Sequence, residues 1–494
     1  MLTVDEIKTF IDKDSNSKKK KLAKVGQRYY EGEHDIRNYR IFFFNAEGEL
    51  EEDKTKSNIK ISHPFFTEQV DQLVQYILSG EEGFVRSDNP DLQAEMDLYF
   101  NDNEDFMAEL YDILTGTAAK GFEYAYGYRN ADDRLSFQCA DSLGVVEVRA
   151  TETADGCEYV IFHYIDRISK DDKEIRRIQV WNDKETHFFC QEGSGPIIPD
   201  ASVKPNPRPH IVFKKDQDDP DSYFEGFGFI PFFRLDNGKK QFSGLKPIKD
   251  LIDDYDLMSC GLSNNIQDTN EALYVVSGFS GDNLDELMVN IKNKKHIGVD
   301  ENGGVDIKTI DIPYEARQAK LELDEKNIYR FGQALNTAGL KDTTATTNMA
   351  IKAAYSLLDL RAHKMIIHLK QFMRKLLKPV LEEINDQNGK DYQQKDVYFH
   401  FVHDIPTNAK ENAEIELIEA QRKQTEITTL LNLATQLDSK TQMQLICEQL
   451  DIDYNEIKDK LPKQEDADPY AVQTVLDAIQ PEDETAPDGG DVIE

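Results

Sequence analysis

The chain has 494 residues, more than one compact hydrophobic core accommodates, so we expect two to four structural units. Its 93 Asp and Glu residues outnumber 58 Lys and Arg residues, and the net charge of -35 argues against stable nucleic-acid binding, whose affinity comes mostly from basic side chains. No apolar run reaches the roughly 18 residues that span a bilayer, and the five cysteines are scattered, which predicts a chain made in the cytosol without membrane contact, disulfides or zinc.

The N-terminal part of the chain has helical periodicity. A first helix is predicted over residues 2–10 and a second over residues 22–31, with Gly32 ending the second in a left-handed conformation. The lysine run at residues 18–21 is typical of a solvated helix face. Apolar residues at three- and four-residue spacing then predict a helix that ends at Gly80.

Residues 91–116 are predicted to form one or two further helices, after which the pattern changes to that of strands. Alternating side chains predict short strands at residues 124–128, 145–148, 159–163, 178–180 and 187–189. These strands are expected to form an antiparallel sheet. Residues 191–209, which are rich in Gly, Pro and Ser, and the acidic residues 216–221 are predicted to be loops.

The next part of the chain combines a strand, a turn and a long helix. The strand covers residues 230–235 and leads into the turn Asp236-Asn237-Gly238. From Leu245 onward, apolar residues recur with a period of 3.6 for about six turns, and acidic residues fill much of the rest. The pattern predicts an acidic amphipathic helix.

A small mixed unit is predicted over residues 272–311, between this helix and a second long helix. It combines a strand near Val275, a short helix over residues 284–291, and a hairpin that turns at residues 301–304. The second long helix is predicted over residues 313–336. The pattern alone also fits an ordinary helical hairpin that carries an insert.

Small and hydroxylated residues at positions 337–348 interrupt the helical pattern, and a flexible connection without contacts is one interpretation of them. A long helix over residues 349–383 follows, with a kink expected at Pro379 because its ring clashes with the preceding turn. A strand over residues 397–402 and a helical region over residues 409–461 come next. The acidic C-terminal tail is expected to be mostly disordered.

The order of these elements and three short motifs resemble the portal proteins of tailed bacteriophages, specifically the siphophage type of this head-to-tail connector family. The motifs are an early Tyr-x-Gly-x-x-x-Ile at residues 30–36, a Tyr-x-x-x-Gly at residues 76–80 and a Pro-x-Asn step at residues 406–408. The resemblance covers residues 20–450 and is most specific in the two regions that contain the long helices.

The resemblance implies an α+β, mainly helical fold, with an α/β wing, a two-helix stem, a small α/β clip, a long kinked tunnel helix and a helical crown. The implied boundaries are wing 1–244, first stem helix 245–270, clip 271–312, second stem helix 313–336, tunnel loop 337–348, kinked tunnel helix 349–388, wing return strand 389–408, crown 409–461 and acidic tail 462–494.

The resemblance also implies a function. Portal proteins form a ring, of twelve subunits in the virion, at one capsid vertex. That ring is the channel for genome DNA during packaging and ejection. The implied partners are further copies of the chain, the terminase large subunit, the major capsid or scaffold protein, a head-completion adaptor, and double-stranded DNA as a transient passenger. The implied location is the portal vertex of the virion, with assembly in the host cytoplasm.

Three groups of residues are implied to carry this function. The tunnel loop, which would contact DNA, contains Gly339, Leu340, Lys341, Asp342, Thr343, Thr344, Thr346 and Thr347. The tip of the clip, which would dock terminase and adaptor, contains Glu301, Asn302, Gly303 and Gly304. The acids of the first stem helix that would face the channel are Asp250, Asp253 and Asp256. Acidic walls would repel the phosphates of passing DNA, although the high net charge serves solubility equally well.

Signs of enzyme chemistry are missing from the sequence, so we expect no catalytic residues, cofactor or metal. The phosphate-binding motif G-x-x-x-x-G-K-[ST] and the zinc motif H-E-x-x-H are both absent. His363 and His368 lie too far round a helix to share a metal, and His400 and His403 would face opposite sides of a strand. A non-ring nucleic-acid-processing or scaffold-like factor with a helical hairpin remains the alternative interpretation.

Overall fold

The structure, a computed structural model, divides the chain into two compact units, residues 1–406 and 407–494. The residues that it describes are 1–45, 47–54, 56–80, 83–130, 134–149, 156–168, 173–210, 213–214, 224–225, 228–268, 273–277, 304–308, 314–337, 348–403, 409–432 and 439–449. Within these ranges, none of the helices combines the length and the apolar character that crossing a membrane requires.

Helices make up much of the described part of the first unit. Their bounds are α1 Val4–Ser15, α2 Lys18–Tyr30, α3 Phe65–Ile77, α4 Pro90–Met96, α5 Glu104–Lys120, α6 Lys249–Asp268, α7 Tyr314–Gly332 and α8 Asn348–Asn388. Short 3-10 turns occupy Asp35–Asn38 and Gln394–Asp396, and a π-helical turn, Asp97–Asn101, follows α4. The second unit is described for α9, Ala409–Asn432, and α10, Ser439–Gln449.

The described strands of the first unit contain two to ten residues, and all described pairings are antiparallel. Their bounds are β1 Phe42–Phe44, β2 Leu50–Glu52, β3 Val85–Ser87, β4 Phe122–Arg129, β5 Leu135–Ala140, β6 Val145–Val148, β7 Tyr159–Ile168, β8 Glu174–Trp181, β9 Glu185–Glu192, β10 Ile198–Pro199, β11 Arg208–Pro209, β12 Phe213–Lys214, β13 Phe224–Glu225, β14 Phe232–Asp236, β15 Leu273–Ser277, β16 Gly304–Lys308 and β17 Val397–Phe399. The mixture of helix and strand confirms the α+β class in its coarse form.

The predicted antiparallel sheet is divided into two. One sheet is a meander in the order β10-β9-β8-β7-β6, and α1 packs on it through Ile7 and Ile11. The other has the order β14-β4-β5, so the strand that precedes α6 pairs with β4, with Phe233 opposite Ala125. Strand β5 was not predicted, although Leu135 and Phe137 alternate toward the core.

The second helix begins earlier than predicted, and this changes the environment of the lysine run. The Ser17 side chain accepts a hydrogen bond from the Lys20 backbone N–H at 3.2 Å and caps α2 at its start, so the run forms the first turn. Lys20 is buried there: its Nζ donates to Val145 O at 2.7 Å and pairs with Asp14 at 2.9 Å. The prediction of a solvated face is therefore wrong at Lys20, whereas Lys18 and Lys21 are exposed.

The largest core cluster brings together α3, α5, α8 and the bases of α6 and α7. Helix α8 is 41 residues long, longer than predicted, and it continues through Pro379. Fully buried residues on both sides of that proline, among them Leu376 and Val380, belong to this core. After α8 the chain returns as β17, which pairs with β3 and is shorter than the predicted strand.

Candidate functional site

Helices α6 and α7 form an antiparallel hairpin. Near its base, Lys320 Nζ of α7 lies 2.5 Å from Asp254 Oδ2 of α6 and also pairs with Asp324. Farther out, Arg317 of α7 faces Asn265 of α6. Contacts farther from the base therefore involve later residues of α6 and earlier residues of α7, as in two antiparallel helices. Two long helices were predicted at these positions, and their assignment as stem helices stays a prediction.

At the far end of the hairpin, β15 and β16 pair from Leu273 opposite Lys308 to Ser277 opposite Gly304. This ladder joins the strand that follows α6 to the strand that precedes α7, as expected for a small insert between two helices. Gly304 is exposed at the start of β16. The other predicted clip residues, Glu301, Asn302 and Gly303, lie outside the described residues, as do the predicted helix 284–291 and the first arm of the hairpin.

The base of the hairpin is buried in the main core. Ile252 of α6 and Ile328 of α7 are fully shielded from solvent. The Phe65 ring of α3 packs edge-on against Tyr255 of α6, at 4.9 Å between centroids, and against Tyr329 of α7 at 6.0 Å. Aromatic edge contacts of this kind add to the free energy of apolar burial. Both helices are therefore fixed to the body of the first unit at this end.

A buried polar cluster fixes the middle of α6. The Asp256 carboxylate accepts hydrogen bonds from His34 Nδ1 at 2.6 Å, from His63 Nδ1 at 2.7 Å and from the His63 backbone N–H at 3.0 Å. The Tyr29 ring stacks on His34 with centroids 4.5 Å apart. Burial alone would raise the pKa of Asp256, but the hydrogen bonds from His34 and His63 outweigh it and hold the pKa below its ordinary value. The carboxylate is therefore ionised and paired.

A second polar cluster lies one turn earlier on α6. Tyr29 Oη donates to Asp253 Oδ1, and Lys249 Nζ contacts Asp253 Oδ2 at 2.6 Å and Asp35 Oδ2 at 2.7 Å. Partial burial would lower the pKa of Lys249, yet its hydrogen bonds to Asp253 and Asp35 raise it. Both clusters join the N-terminal segment that contains Tyr29 and His34 to the same helix.

The three predicted channel-facing acids therefore differ in environment. The prediction that Asp256 faces the channel is wrong, because this side chain is completely buried between two histidines. Asp253 is partly exposed but engaged by Tyr29 and Lys249. Asp250 is exposed, so its orientation toward a channel stays a prediction. The periodicity of α6 revealed its apolar face but gave no sign that one acid lay within it.

The end of α7 and the segment that follows it are fixed by side chains that the sequence did not single out. The fully buried Gln69 donates to Ile328 O at 3.3 Å, and Gln72 both donates to Leu335 O at 3.1 Å and accepts from Leu335 N at 3.2 Å. Arg361 of α8 donates to Gly332 O at 3.0 Å. The predicted tunnel loop begins just after this segment. Its candidate residues lie outside the described residues, from Gly339 and Leu340 through Lys341, Asp342, Thr343 and Thr344 to Thr346 and Thr347.

Several large apolar side chains of the hairpin face solvent in the single chain. On α6, Leu257 is 42% exposed and Ile266 51%; on α7, Leu323 is 54% and Phe331 51% exposed. Apolar side chains are common on protein surfaces, but a succession of them along two projecting helices is typical of a surface that a partner covers.

Comparison with known proteins is consistent with this architecture. The family described as "Phage portal protein, SPP1 Gp6-like" matches residues 10–454. The portal protein of Bacillus phage SPP1 is 27% identical over 341 residues, which make up 68% of this chain and 65% of that protein. The portal protein of Clostridium phage phiCD119 is 28% identical over 197 residues, or 38% of this chain and 42% of that protein. Because the family match extends over most of the sequence, the chain belongs to the phage portal protein family.

Proposed function

We propose that this chain assembles into a closed ring that serves as the DNA channel at one vertex of a phage capsid. Membership of the portal family supports this function. The aligned segments span 65% and 42% of the two relatives, so the activity and partners of the whole protein are part of the proposal. The single observation that carries it is the α6–α7 hairpin, which is fixed at its base and exposes large apolar side chains on both helices.

The distribution of those side chains supports ring formation. Leu257 belongs to one helix of the hairpin, and Leu323 and Phe331 to the other. A neighbouring hairpin that packs against them buries apolar area, at about 25 cal/mol for each square ångström. Contacts between different faces of identical subunits continue from copy to copy and close into a ring when the rotation permits. We propose twelve subunits in the virion.

The negative charge suits passage of DNA better than its retention. The net charge of -35 is spread over each subunit, and a ring multiplies it by the number of subunits. Asp250 and Asp253, on the first turns of α6, are our candidates for acids that face the channel, since both are at least partly exposed. An acidic wall repels phosphates and keeps the duplex away from lasting contacts.

The clip and the wing are proposed to contact the protein partners of the ring. We propose that the clip, which includes Gly304 and the residues 301–303 that precede it in the sequence, docks the terminase large subunit during packaging and a head-completion adaptor afterwards. The wing meets the major capsid or scaffold protein. The chain thus acts in the virion at the portal vertex, after assembly in the host cytoplasm.

The tunnel loop is proposed as the part that touches DNA. Most of residues 337–348 are small or hydroxylated, and Lys341 is the sole Lys or Arg among them. Threonine hydroxyls and one cation per subunit make weak phosphate contacts, which carry no sequence information and release easily. The segment connects the fixed end of α7 with the start of α8, so movement of this loop need not disturb either helix.

Electron microscopy of the purified full-length protein, together with mass photometry at micromolar concentration, tests the proposal. We expect rings with a central hole and a mass that is an integral multiple of the subunit mass. Monomers at every salt concentration tested, with no rings in the images, would reject it. That result would favour the non-ring factor with a helical hairpin.

A further inference from the structure

A cluster of potential metal ligands involves helix α8 and lies outside the α6–α7 hairpin. Asp359, His363 and His403 each offer one ligand atom, and the three atoms lie within 4.8 Å of one another. Asp359 and His363 are one turn apart on α8, so their side chains share a helix face. His403 comes from the segment that follows β17.

The backbone fixes the third member of the cluster. Strand β17 pairs with β3, and just beyond it His400 N donates to Phe84 O at 2.8 Å. The Phe401 ring stacks on Phe84 with centroids 5.0 Å apart. The His403 ring in turn stacks on Tyr76, at 4.5 Å. These contacts hold the His403 imidazole beside α8, although the two segments are distant in sequence.

The oxygen neighbours of both imidazoles favour the tautomer in which Nδ1 carries the proton. His403 Nδ1 lies 3.1 Å from Tyr76 O, and His363 Nδ1 lies 3.0 Å from Asp359 O and 3.3 Å from Asp359 Oδ1. A carbonyl oxygen only accepts, so each Nδ1 carries the proton and each Nε2 keeps a lone pair in the neutral ring. Metal-binding histidines commonly donate their other N–H to a carbonyl in this way, which orients the ring.

The carboxylate of the cluster is oriented as well. Tyr76 Oη donates to Asp359 Oδ1 at 3.1 Å, and the Tyr76 side chain is only 5% exposed. Tyr76 therefore supports two of the three residues, one through its hydroxyl and the other through its ring and its carbonyl oxygen. The second carboxylate oxygen of Asp359 is available as a ligand.

We propose that Asp359, His363 and His403 bind one divalent transition metal ion of the zinc class through two imidazole nitrogens and one carboxylate oxygen. Imidazole favours zinc, copper, nickel and iron over magnesium and calcium, which prefer oxygen ligands. Zinc holds these ligands at about 2.0–2.2 Å in a tetrahedron, so the three groups must approach each other slightly. The side chain of His363 is 64% exposed, so little packing opposes that movement.

The bound ion would join three separate parts of the first unit: the end of α3 through Tyr76, the helix α8, and the segment after β17. A fourth coordination position remains for water or another group. Because an ion that binds the folded chain more tightly than the unfolded chain shifts the equilibrium toward folding, it would stabilise this corner of the protein. The expectation of no metal rested on missing sequence motifs and on pairs of histidines close in sequence. Neither criterion detects His403 beside His363, because the two are brought together by the fold.

Cobalt and zinc binding to the untagged full-length protein, first stripped of metal with a chelator, tests this site. We expect one Co²⁺ per chain with visible absorption bands, displaced by Zn²⁺, and an unfolding midpoint that rises when Zn²⁺ is added. His363→Ala should weaken Zn²⁺ binding at least tenfold while the chain stays folded, because the removed side chain is mostly exposed. Tyr76→Phe, which removes only the hydroxyl, should weaken it roughly tenfold, as loss of a supporting contact does.

The matched control is His368→Ala, which removes an imidazole from the same helix outside the cluster and should bind Zn²⁺ as the wild type does. His403→Ala serves as a further variant, and the exposed position of His363 keeps the test decisive if that variant fails to fold. Wild-type chains that take up no stoichiometric Co²⁺ or Zn²⁺ would overturn the proposal. Equal affinity of wild type and His363→Ala would overturn it too, since binding would then lie at other surface imidazoles.

Discussion

The Asp256 carboxylate accepts a hydrogen bond from His34 Nδ1 at 2.6 Å, and neither side chain has any exposed surface. The two residues are 222 positions apart, so this bond joins the N-terminal segment to the middle of α6. His63 completes the arrangement from the other side. Helix α6 cannot shift along its axis without leaving an ionised carboxylate buried and unpaired, which is strongly unfavourable. The hairpin is therefore fixed in register at its base.

Replacement of Asp256 should destabilise the first unit. In Asp256→Ala, the buried His34 N–H and the partly buried His63 N–H lose their acceptor, and removal of one partner from a buried pair costs about 3 kcal/mol or more. We expect a clear fall in the thermal midpoint of the purified protein, measured by circular dichroism. Asp250→Ala, an exposed acid on the same helix, is the matched control and should change stability by less than about 0.5 kcal/mol. Equal midpoints for the two variants would contradict a structural role for Asp256.

The contrast between Asp250 and Asp256 shows how far the sequence determines the site. Periodicity identified α6, α7 and α8, because the apolar residues on the buried face of a helix recur every three or four positions. It could not identify the partner of an acid when that partner lies about two hundred residues away. The sequence therefore predicts a solvent-facing position for Asp256, although its pairing with the distant His34 buries it.

The same reason explains the misjudged lysine and the missed strand. Lys20 belongs to a run of four lysines, and local composition favours solvent for all of them. Only the tertiary contact with the carbonyl oxygens of Ser142 and Val145 distinguishes it. Apolar and polar residues alternate along β5, but the pattern is short and gives only a weak signal in the sequence. The pairing of β5 with β4 identifies it as a strand.

The buried lysine gives a second prediction. Lys20→Ala leaves two carbonyl oxygens without their donor and Asp14 without its partner, so we expect a loss of roughly 2–3 kcal/mol in unfolding free energy. Lys21→Ala removes the same groups from the neighbouring exposed position and should be nearly neutral. Urea unfolding followed by circular dichroism compares the two. A neutral Lys20→Ala would show that the buried contacts contribute nothing to stability.

A third prediction concerns acid pH and His163 of β7. Burial, with help from the charges of Arg176 and Lys20, lowers the pKa of His163 from its ordinary value of 6.5 to about 4. The unfolded chain therefore binds a proton between pH 6.5 and 4 that the folded chain does not. The stabilisation from neutral His163 is fully present above pH 6.5 and is lost as the pH falls toward 4. By linkage, the difference amounts to about 3 kcal/mol at most.

Trp181, the one tryptophan of the chain, lies on the adjacent strand β8 and reports unfolding of this sheet by its fluorescence. We expect the urea midpoint of the wild type to fall between pH 7.5 and 4.5 by more than that of His163→Gln, which does not titrate. Lys184→Gln, at an exposed position near the same sheet, is the control. Parallel pH profiles for the wild type and His163→Gln would refute the assignment.

A fourth prediction tests the tunnel loop in its proposed role. Lys341→Ala removes the loop's cation and should alter the rate of DNA packaging or the retention of packaged DNA, while ring assembly and thermal stability stay at the wild-type level. Lys352→Ala, which removes an exposed lysine near the start of α8, should package normally. Packaging is measured as nuclease-resistant DNA in filled heads. If both variants package and retain DNA like the wild type, the loop is only a connector.

The last prediction separates the surface that joins subunits from the core that folds each one. Leu323 is 54% exposed on α7, so an aspartate there meets water in the single chain and changes its stability little. In a ring, the same aspartate would bury a charge against an apolar neighbour, which is unfavourable unless it finds a partner. We expect Leu323→Asp to shift the protein from rings to monomers in mass photometry, with an unchanged circular dichroism spectrum. Gln318→Asp adds the same charge to an exposed polar position of α7 and should leave rings intact. Rings of normal stability in Leu323→Asp would mean that this face of the hairpin does not join subunits, and the apolar side chains of α6 would then be the next surface to test.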